Sequence, residues 1–179
     1  YLQSSTFQLA KHRIAWLLVL MISATFTGYI IKSFENTLSS VIALTMFIPL
    51  LMDTGGNAGS QSATLVIRGL ALGTVKTKDY YKVILKEFQV SLFVGLVLST
   101  INFLRIIAFD HVGIKISLIV SITLFITIVL AKVVGAILPI IASKVKLDPA
   151  IMASLLITTI VDALALLIYF TLATTILGI

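Results

Sequence analysis

Asp162 is the only charged residue in the apolar run 149–179, and it lies near the middle of that run. A carboxylate at the centre of a membrane helix costs roughly 2.5 to 3.5 kcal/mol on insertion scales. Ser154, Thr158 and Asp162 recur every four residues, so in a helix they form one polar stripe. A structural alternative is that the hydroxyls bond to their own helix while Asp162 pairs with Lys132. Hydroxyls that lead to a carboxylate are also typical of a narrow, water-filled path, so the stripe favours a cation site.

A second polar segment reads PLLMDTGGNAGSQS at residues 49–62. Side-chain amides and freed backbone groups are expensive against lipid, so this segment is predicted to face protein or water. Its glycines and proline favour local unwinding, which would expose backbone carbonyls to a cation. Close helix packing through Gly55 and Gly59 is the alternative. Packing leaves Asp53, Asn57 and Gln61 unexplained, and Asp53 and Asn57 are therefore candidate ion ligands.

The composition indicates the class of protein to which these polar groups belong. Hydrophobic residues make up 59% of the 179 residues and charged residues 11%, and the mean hydropathy is +1.16. A soluble domain is about 25% charged, so the chain is predicted to be a polytopic membrane protein in a lipid bilayer. The absence of cysteine excludes disulfides and thiolate metal sites. The net charge of +6 follows membrane topology, and we expect no nucleic-acid partner.

The apolar stretches predict an all-α fold with five transmembrane helices. About 20 apolar residues cross a bilayer core, so each stretch can cross once. One stretch is long and interrupted by polar and glycine residues, so its helix is predicted to be long or broken. The stretches are 14–31, 38–71, 83–104, 116–141 and 150–179.

The distribution of Lys and Arg predicts the orientation, because cytoplasmic loops near a membrane are enriched in them. Nine of the 13 lie on one side: Lys11, Arg13, Arg68, Lys76, Lys78, Lys82, Lys86, Lys144 and Lys146. The N-terminus is therefore predicted to be cytoplasmic, and an odd number of helices makes the C-terminus external in the cell membrane. Residues 1–10 are predicted to end a cytoplasmic connecting helix, and 11–179 to form one membrane domain.

At the two polar segments the sequence resembles the MgtE family of magnesium channels and transporters. The glycine-rich segment 49–62 carries most of the resemblance. Further matches are IRGLA at 67–71, Lys86-Glu87, VGAILP at 134–139, LDPA at 147–150 and TTIVD at 158–162. The resemblance covers nearly all of the chain.

The resemblance implies a homodimer with a pore on the two-fold axis, lined by the second and fifth transmembrane helices. The ion-recognising aspartate of the family corresponds to Asp162, so two copies would face each other across the path. Their repulsion would be relieved by a divalent cation. Mg²⁺ is the implied transported and pore-bound ion, and it usually keeps several waters. Ser154 and Thr158 would then meet its outer water shell.

The chain departs from the family at three positions. Leu155 stands where many members have proline, Ala165 where glycine is frequent, and Lys132 where some members have asparagine. Lys132 would weaken cation binding if it faced the pore. Typical members also have cytoplasmic magnesium-sensing domains, including a pair of CBS modules, before the membrane part. This sequence contains none, and we expect it to be the membrane domain of a longer protein.

The predicted function is a channel or facilitative transporter for hydrated Mg²⁺, and not an enzyme. One alternative is a secondary transporter that couples Mg²⁺ to Na⁺ or H⁺ through Asp53, Asp162 and Lys132. Another is a membrane hydrolase with Asp53 and Asp162 as a catalytic pair, which lacks further activating groups. A structural or partner-binding membrane domain is a third alternative. Glu87 is expected to pair with Lys82, Lys86 or Arg68, or to touch an ion at the cytoplasmic mouth.

Overall fold

The computed structural model describes residues 5–146 and 148–179, without the side chains of 8, 9, 12, 13 and 150–155. The described part is all-α, as the sequence predicts. Its α-helices are α1 (Thr6–Ser33), α2 (Glu35–Ser40), α3 (Ile48–Ala71), α4 (Tyr80–Arg105), α5 (Ile114–Lys144) and α6 (Pro149–Leu177). Short 3-10 turns span Ile42–Phe47 and Thr77–Asp79, and a π turn, Ile106–Asp110, ends α4.

Among the described residues, four helical segments are long and apolar enough to cross a membrane. They are Ile14–Ser33, Thr77–Asp110, Ile114–Lys144 and Leu156–Leu177. Many large apolar side chains on α1 and α4 lie exposed, which in water would be unfavourable and in lipid is favourable. The chain is therefore a multi-pass membrane protein.

The predicted helix at 38–71 is broken, and the break lies before the glycine-rich segment. Helix α2 ends at Ser40, Val41 leaves the helical conformation, and α3 begins at Ile48 after the 3-10 turn. Helix α3 itself has 24 residues, so it is about 36 Å long and matches the thickness of a bilayer core. It is less apolar than the four long spans because it carries the polar segment.

Helix α5 lies at the centre of the bundle, where it contacts α3, α4 and α6. Half of its most apolar stretch is buried inside the protein. Helix α3 also packs against α6, and α1 reaches the bundle mainly through α6. The core consequently fixes α3 and α6 side by side.

Glycines allow the close approach of α3 to its two neighbours. A Cβ atom on Gly55 would lie 2.6 Å from Val161 Cγ1, and one on Gly59 would lie 2.6 Å from Ile157 Cγ2. On the other side, Gly135 of α5 directly faces the backbone of Gly59. The predicted packing role of Gly55 and Gly59 is thus present in the structure.

The segment before α3 is anchored to the far end of α6. The Tyr169 hydroxyl donates a hydrogen bond to the Leu44 carbonyl oxygen at 2.8 Å, and both residues are fully buried. The rings of Phe34 and Phe170 stack with centroids 4.8 Å apart. These contacts set the position at which α3 begins relative to α6.

Candidate functional site

Helix α3 has a face of small buried residues and a face of exposed polar residues. Gly55, Gly56, Gly59 and Ser62 are buried against the bundle. The exposed polar side chains follow one another at helical spacing, and they are Asp53, Asn57, Gln61 and Thr64. We call these four residues the α3 polar stripe. An exposed polar stripe is expensive in lipid, so it requires water or a further protein surface.

Two members of the α3 polar stripe are joined by a hydrogen bond. The Asn57 Nδ2 atom donates to Asp53 Oδ2 at 3.1 Å, one turn apart on the same helix. An amide that donates to a carboxylate restrains the carboxylate and leaves its other oxygen open to a ligand. Both predicted ligands of this segment therefore act as one oxygen-rich group.

Asp162 lies half-buried on α6, directly after Val161, which packs against Gly55 of α3. The negative charge of Asp53 is near enough to interact repulsively with Asp162. Among the described residues, the ion pairs are Arg105 with Asp110 and Lys132 with Glu87. Neither pair includes Asp53 or Asp162, so among the described residues these two carboxylates have no basic partner on the packed helices α3 and α6.

Thr158 lies one turn before Asp162 and also faces α3. A Cβ atom on Gly56 would meet Thr158 Cγ2 at 3.5 Å, which is ordinary van der Waals contact. Asp53 and Asn57 thus lie on α3, and Thr158 and Asp162 on the part of α6 that packs against it; we call these four residues the acidic surface. The side chain of Ser154, the fifth predicted residue, lies outside the described part of the structure, as does that of Leu155.

The predicted unwinding of the glycine-rich segment is wrong. Residues from Ile48 to Ala71 form one continuous α-helix, so their backbone carbonyls are used within the helix. Close contacts of Gly55 and Gly59 with α5 and α6 account for the glycines instead. The oxygen atoms available to a cation here belong to side chains.

The alternative pairing of Lys132 with Asp162 is also wrong. Lys132 is 5% exposed, and its Nζ atom lies 3.9 Å from Glu87 Oε2. It also lies 3.5 Å from Ser62 Oγ, which donates a hydrogen bond to the same Glu87 oxygen at 2.5 Å. We call Ser62, Glu87 and Lys132 the buried triad. It joins α3, α4 and α5 on the inner side of α3, away from the acidic surface.

The buried triad was not predicted, although the sequence holds one signal for it. Glu87 is the one acidic residue of α4, and α5 contains no acidic residue for Lys132 to pair with. Both charges lie inside apolar helices, where an unpaired charge is costly. The expected pairing of Glu87 with Lys82, Lys86 or Arg68 is therefore wrong, since its ion-pair partner among the described residues is Lys132.

Within the part of the chain that the structure describes, no group of three His, Asp or Glu side chains is placed to hold a metal ion. The acidic surface offers two carboxylates, one amide and one hydroxyl. Oxygen ligands of this kind suit hard cations such as Mg²⁺ and Ca²⁺.

The fold and this surface define an all-α, multi-pass membrane protein with an acidic, oxygen-rich face on two of its helices. The profile of the MgtE family, described as a divalent cation transporter, matches residues 48–172. The chain belongs to the MgtE family. That family is one of transporters and not of enzymes.

Individual relatives agree with this assignment. The chain is 39% identical over 165 residues to a protein of Bacillus subtilis and 38% identical over 162 residues to one of Thermus thermophilus, each named magnesium transporter MgtE. A protein of the same name from Enterococcus faecalis is 29% identical over 164 residues. These alignments cover 90 to 92% of this chain but only 35 to 36% of the relatives. The chain therefore spans about a third of the length of the relatives it matches.

Proposed function

We propose that this chain is the membrane-spanning part of a channel or facilitative transporter for hydrated Mg²⁺. The observation that carries the proposal is the acidic surface, where Asp53 and Asp162 add their charges on the outside of a bundle that lies in a membrane. The proposed substrate, Mg²⁺, is inferred from relatives that are named magnesium transporters.

The exposure of the α3 polar stripe supports a dimer. In a single chain this stripe would lie against lipid, where each unpaired amide or carboxylate is costly. A second copy related by a two-fold axis would turn the same stripe and the second Asp162 toward a shared path. We propose that α3 and α6 line this path and that α3 also crosses the membrane, which together with the four long spans makes five crossings.

The chemistry of the acidic surface suits an ion that keeps its water. Mg²⁺ gives up water reluctantly and is usually held by one or two carboxylates together with several waters. Two Asp162 carboxylates facing one another would repel, and a divalent cation between them would remove that repulsion. Thr158 and Asn57 would contact the water shell, as would Ser154 one turn before Thr158.

The proposed orientation places the N-terminus in the cytoplasm. Lysines at the ends of α3, α4 and α5, among them Lys76, Lys82 and Lys144, lie at one end of the bundle. Loops rich in lysine and arginine remain on the cytoplasmic side. The greater length of the relatives supports further cytoplasmic, regulatory domains in the complete protein.

The test is Mg²⁺ flux into proteoliposomes that contain the Asp162→Asn variant. We expect flux to fall by more than about tenfold, because each proposed dimer loses the two Asp162 charges of the acidic surface. Glu35→Gln is the matched control, since it removes an acidic charge from α2, away from the acidic surface, and is expected to keep wild-type flux. Wild-type flux through Asp162→Asn would remove Asp162 from the mechanism.

The same vesicles separate a channel from a coupled transporter. With equal Mg²⁺ on both sides, an imposed Na⁺ or pH gradient at zero membrane potential moves no net Mg²⁺ through a channel. Net uphill movement of Mg²⁺ under that gradient would instead establish coupling.

A further inference from the structure

A groove lies between the beginning of α4 and the end of α5. The turn Thr77–Asp79, which leads into α4, contacts α5 and closes one side of it. Lys78 and Lys144 line the groove together with Ile84, Ile137 and Ile141. None of the described residues that line it is acidic, so its charge is positive.

The polar and apolar parts of this groove lie at different depths. Lys78 lies in the turn before α4 and Lys144 is the last residue of α5, whereas Ile84 lies further along α4. Ile137 precedes Lys144 by two turns of α5, which is about 10 Å along the helix axis. A ligand in the groove would therefore meet cations at the membrane surface and isoleucine side chains toward the membrane interior.

Tyr80 and Thr77 also line the groove, near its charged end. Tyrosine is enriched at the level of lipid headgroups, since its ring is apolar and its hydroxyl is polar. A threonine hydroxyl can donate a hydrogen bond to a phosphate oxygen. The side chains that line the groove therefore change from charged to polar to apolar along its length.

A second groove in the molecule provides a natural comparison. It lies between α1 and the segment that contains α2, and Lys32 and Glu35 both line it. One positive and one negative charge cancel there, so that groove has no preference for a negatively charged ligand. The difference between the two grooves lies in their charge.

We propose that the groove between α4 and α5 binds one anionic phospholipid. The headgroup phosphate lies between Lys78 and Lys144, and an acyl chain runs along Ile84, Ile137 and Ile141. Lysine near a membrane surface attracts anionic lipid, and two lysines together give a preference of about tenfold to thirtyfold over a neutral lipid. This site is separate from the acidic surface and does not depend on the proposed transport function.

The test is native mass spectrometry of the purified protein with phosphatidylglycerol and with phosphatidylcholine of the same acyl chains. We expect the protein to retain phosphatidylglycerol about tenfold better. The double variant Lys78→Ala/Lys144→Ala should lose this preference. The matched control Lys32→Ala/Lys115→Ala removes two lysines elsewhere and should keep it.

A further variant tests the acyl-chain part of the groove. Ile141 lines the groove and is itself exposed, so a tryptophan there should fill the groove without disturbing the core. Ile141→Trp should weaken the binding of both lipids while the helical circular dichroism stays unchanged. Inorganic phosphate in excess should not displace phosphatidylglycerol, because it lacks the acyl chains.

Several results would overturn the proposal. Equal retention of the two lipids, or an unchanged preference in Lys78→Ala/Lys144→Ala, would remove the lysines from lipid binding. Displacement by inorganic phosphate would indicate a site for free phosphate instead of a lipid. Unchanged lipid binding in Ile141→Trp would place the acyl chain elsewhere.

Discussion

The acidic surface and the buried triad both contain carboxylates, but they differ in what surrounds the carboxylate charge. Glu87 lies inside the bundle, where Lys132 provides a positive charge and Ser62 donates a hydrogen bond. Asp162 lies half-buried beside a second carboxylate, and neither belongs to an ion pair in the described part of the chain. The charge of Glu87 is therefore compensated from within the bundle, whereas the cation that we propose binds at the acidic surface would compensate Asp53 and Asp162.

This difference follows from the two faces of α3. Its inner face carries Ser62 and the glycines that allow α5 and α6 to approach closely. The outer face carries Asp53 and Asn57 one turn apart. One helix thus separates charges that hold the bundle together from charges that we propose act on the transported ion.

The largest expected effect on the inner face comes from Lys132→Met. Removing one partner of a buried ion pair leaves an uncompensated charge, so we expect the free energy of unfolding to fall by about 3 to 5 kcal/mol. Unfolding of the purified protein in mixed micelles measures this. Lys115→Met, an exposed position on the same helix, is the matched control and should change little.

A double variant sharpens this prediction. Lys132→Met/Glu87→Met replaces both charges by apolar side chains and should recover most of the lost stability. A double variant as unstable as Lys132→Met alone would contradict pairing as the role of Lys132.

Asp53→Asn should have a smaller effect, and on transport instead of stability. Losing one charge near a divalent cation in a water-filled path weakens attraction by on the order of 1 kcal/mol, or about fivefold to tenfold in affinity. The Mg²⁺ concentration that gives half-maximal flux measures it. An unchanged half-maximal concentration would place Asp53 outside the ion path.

Asn57→Ala should have the smallest effect of the series. It removes one exposed hydrogen bond to Asp53 and keeps the charge, so we expect a change of about twofold in the same flux measurement. A loss as large as that of Asp162→Asn would instead make Asn57 a direct contact of the ion.

Local patterns were sufficient to predict the helices. Apolar length predicted the four long spans that the described residues form, and four-residue spacing predicted a stripe on α6, of which Thr158 lies against α3. The continuity of α3 was not predictable in this way, because glycine and proline suit both unwinding and close packing. Contacts with Val161 and Ile157, far along the chain, decide between the two.

The buried triad shows a second limit of local patterns. Ser62 and Lys132 are 70 positions apart, and their contact depends on how α3 and α5 pack. The sequence suggests Asp162 as a partner of Lys132 only because both are charged residues inside apolar runs. In the structure the ion-pair partner of Lys132 is Glu87 on α4, which packs against α5.

The most direct test is to locate a bound divalent cation by anomalous scattering from crystals of the protein grown with Mn²⁺ in place of Mg²⁺. We predict a peak between two copies of Asp162, about 4 Å from the carboxylate oxygens if one water lies between and about 2 Å if contact is direct. No peak is predicted beside Glu87, whose charge Lys132 already balances. A peak at Glu87 with none at Asp162 would contradict the account.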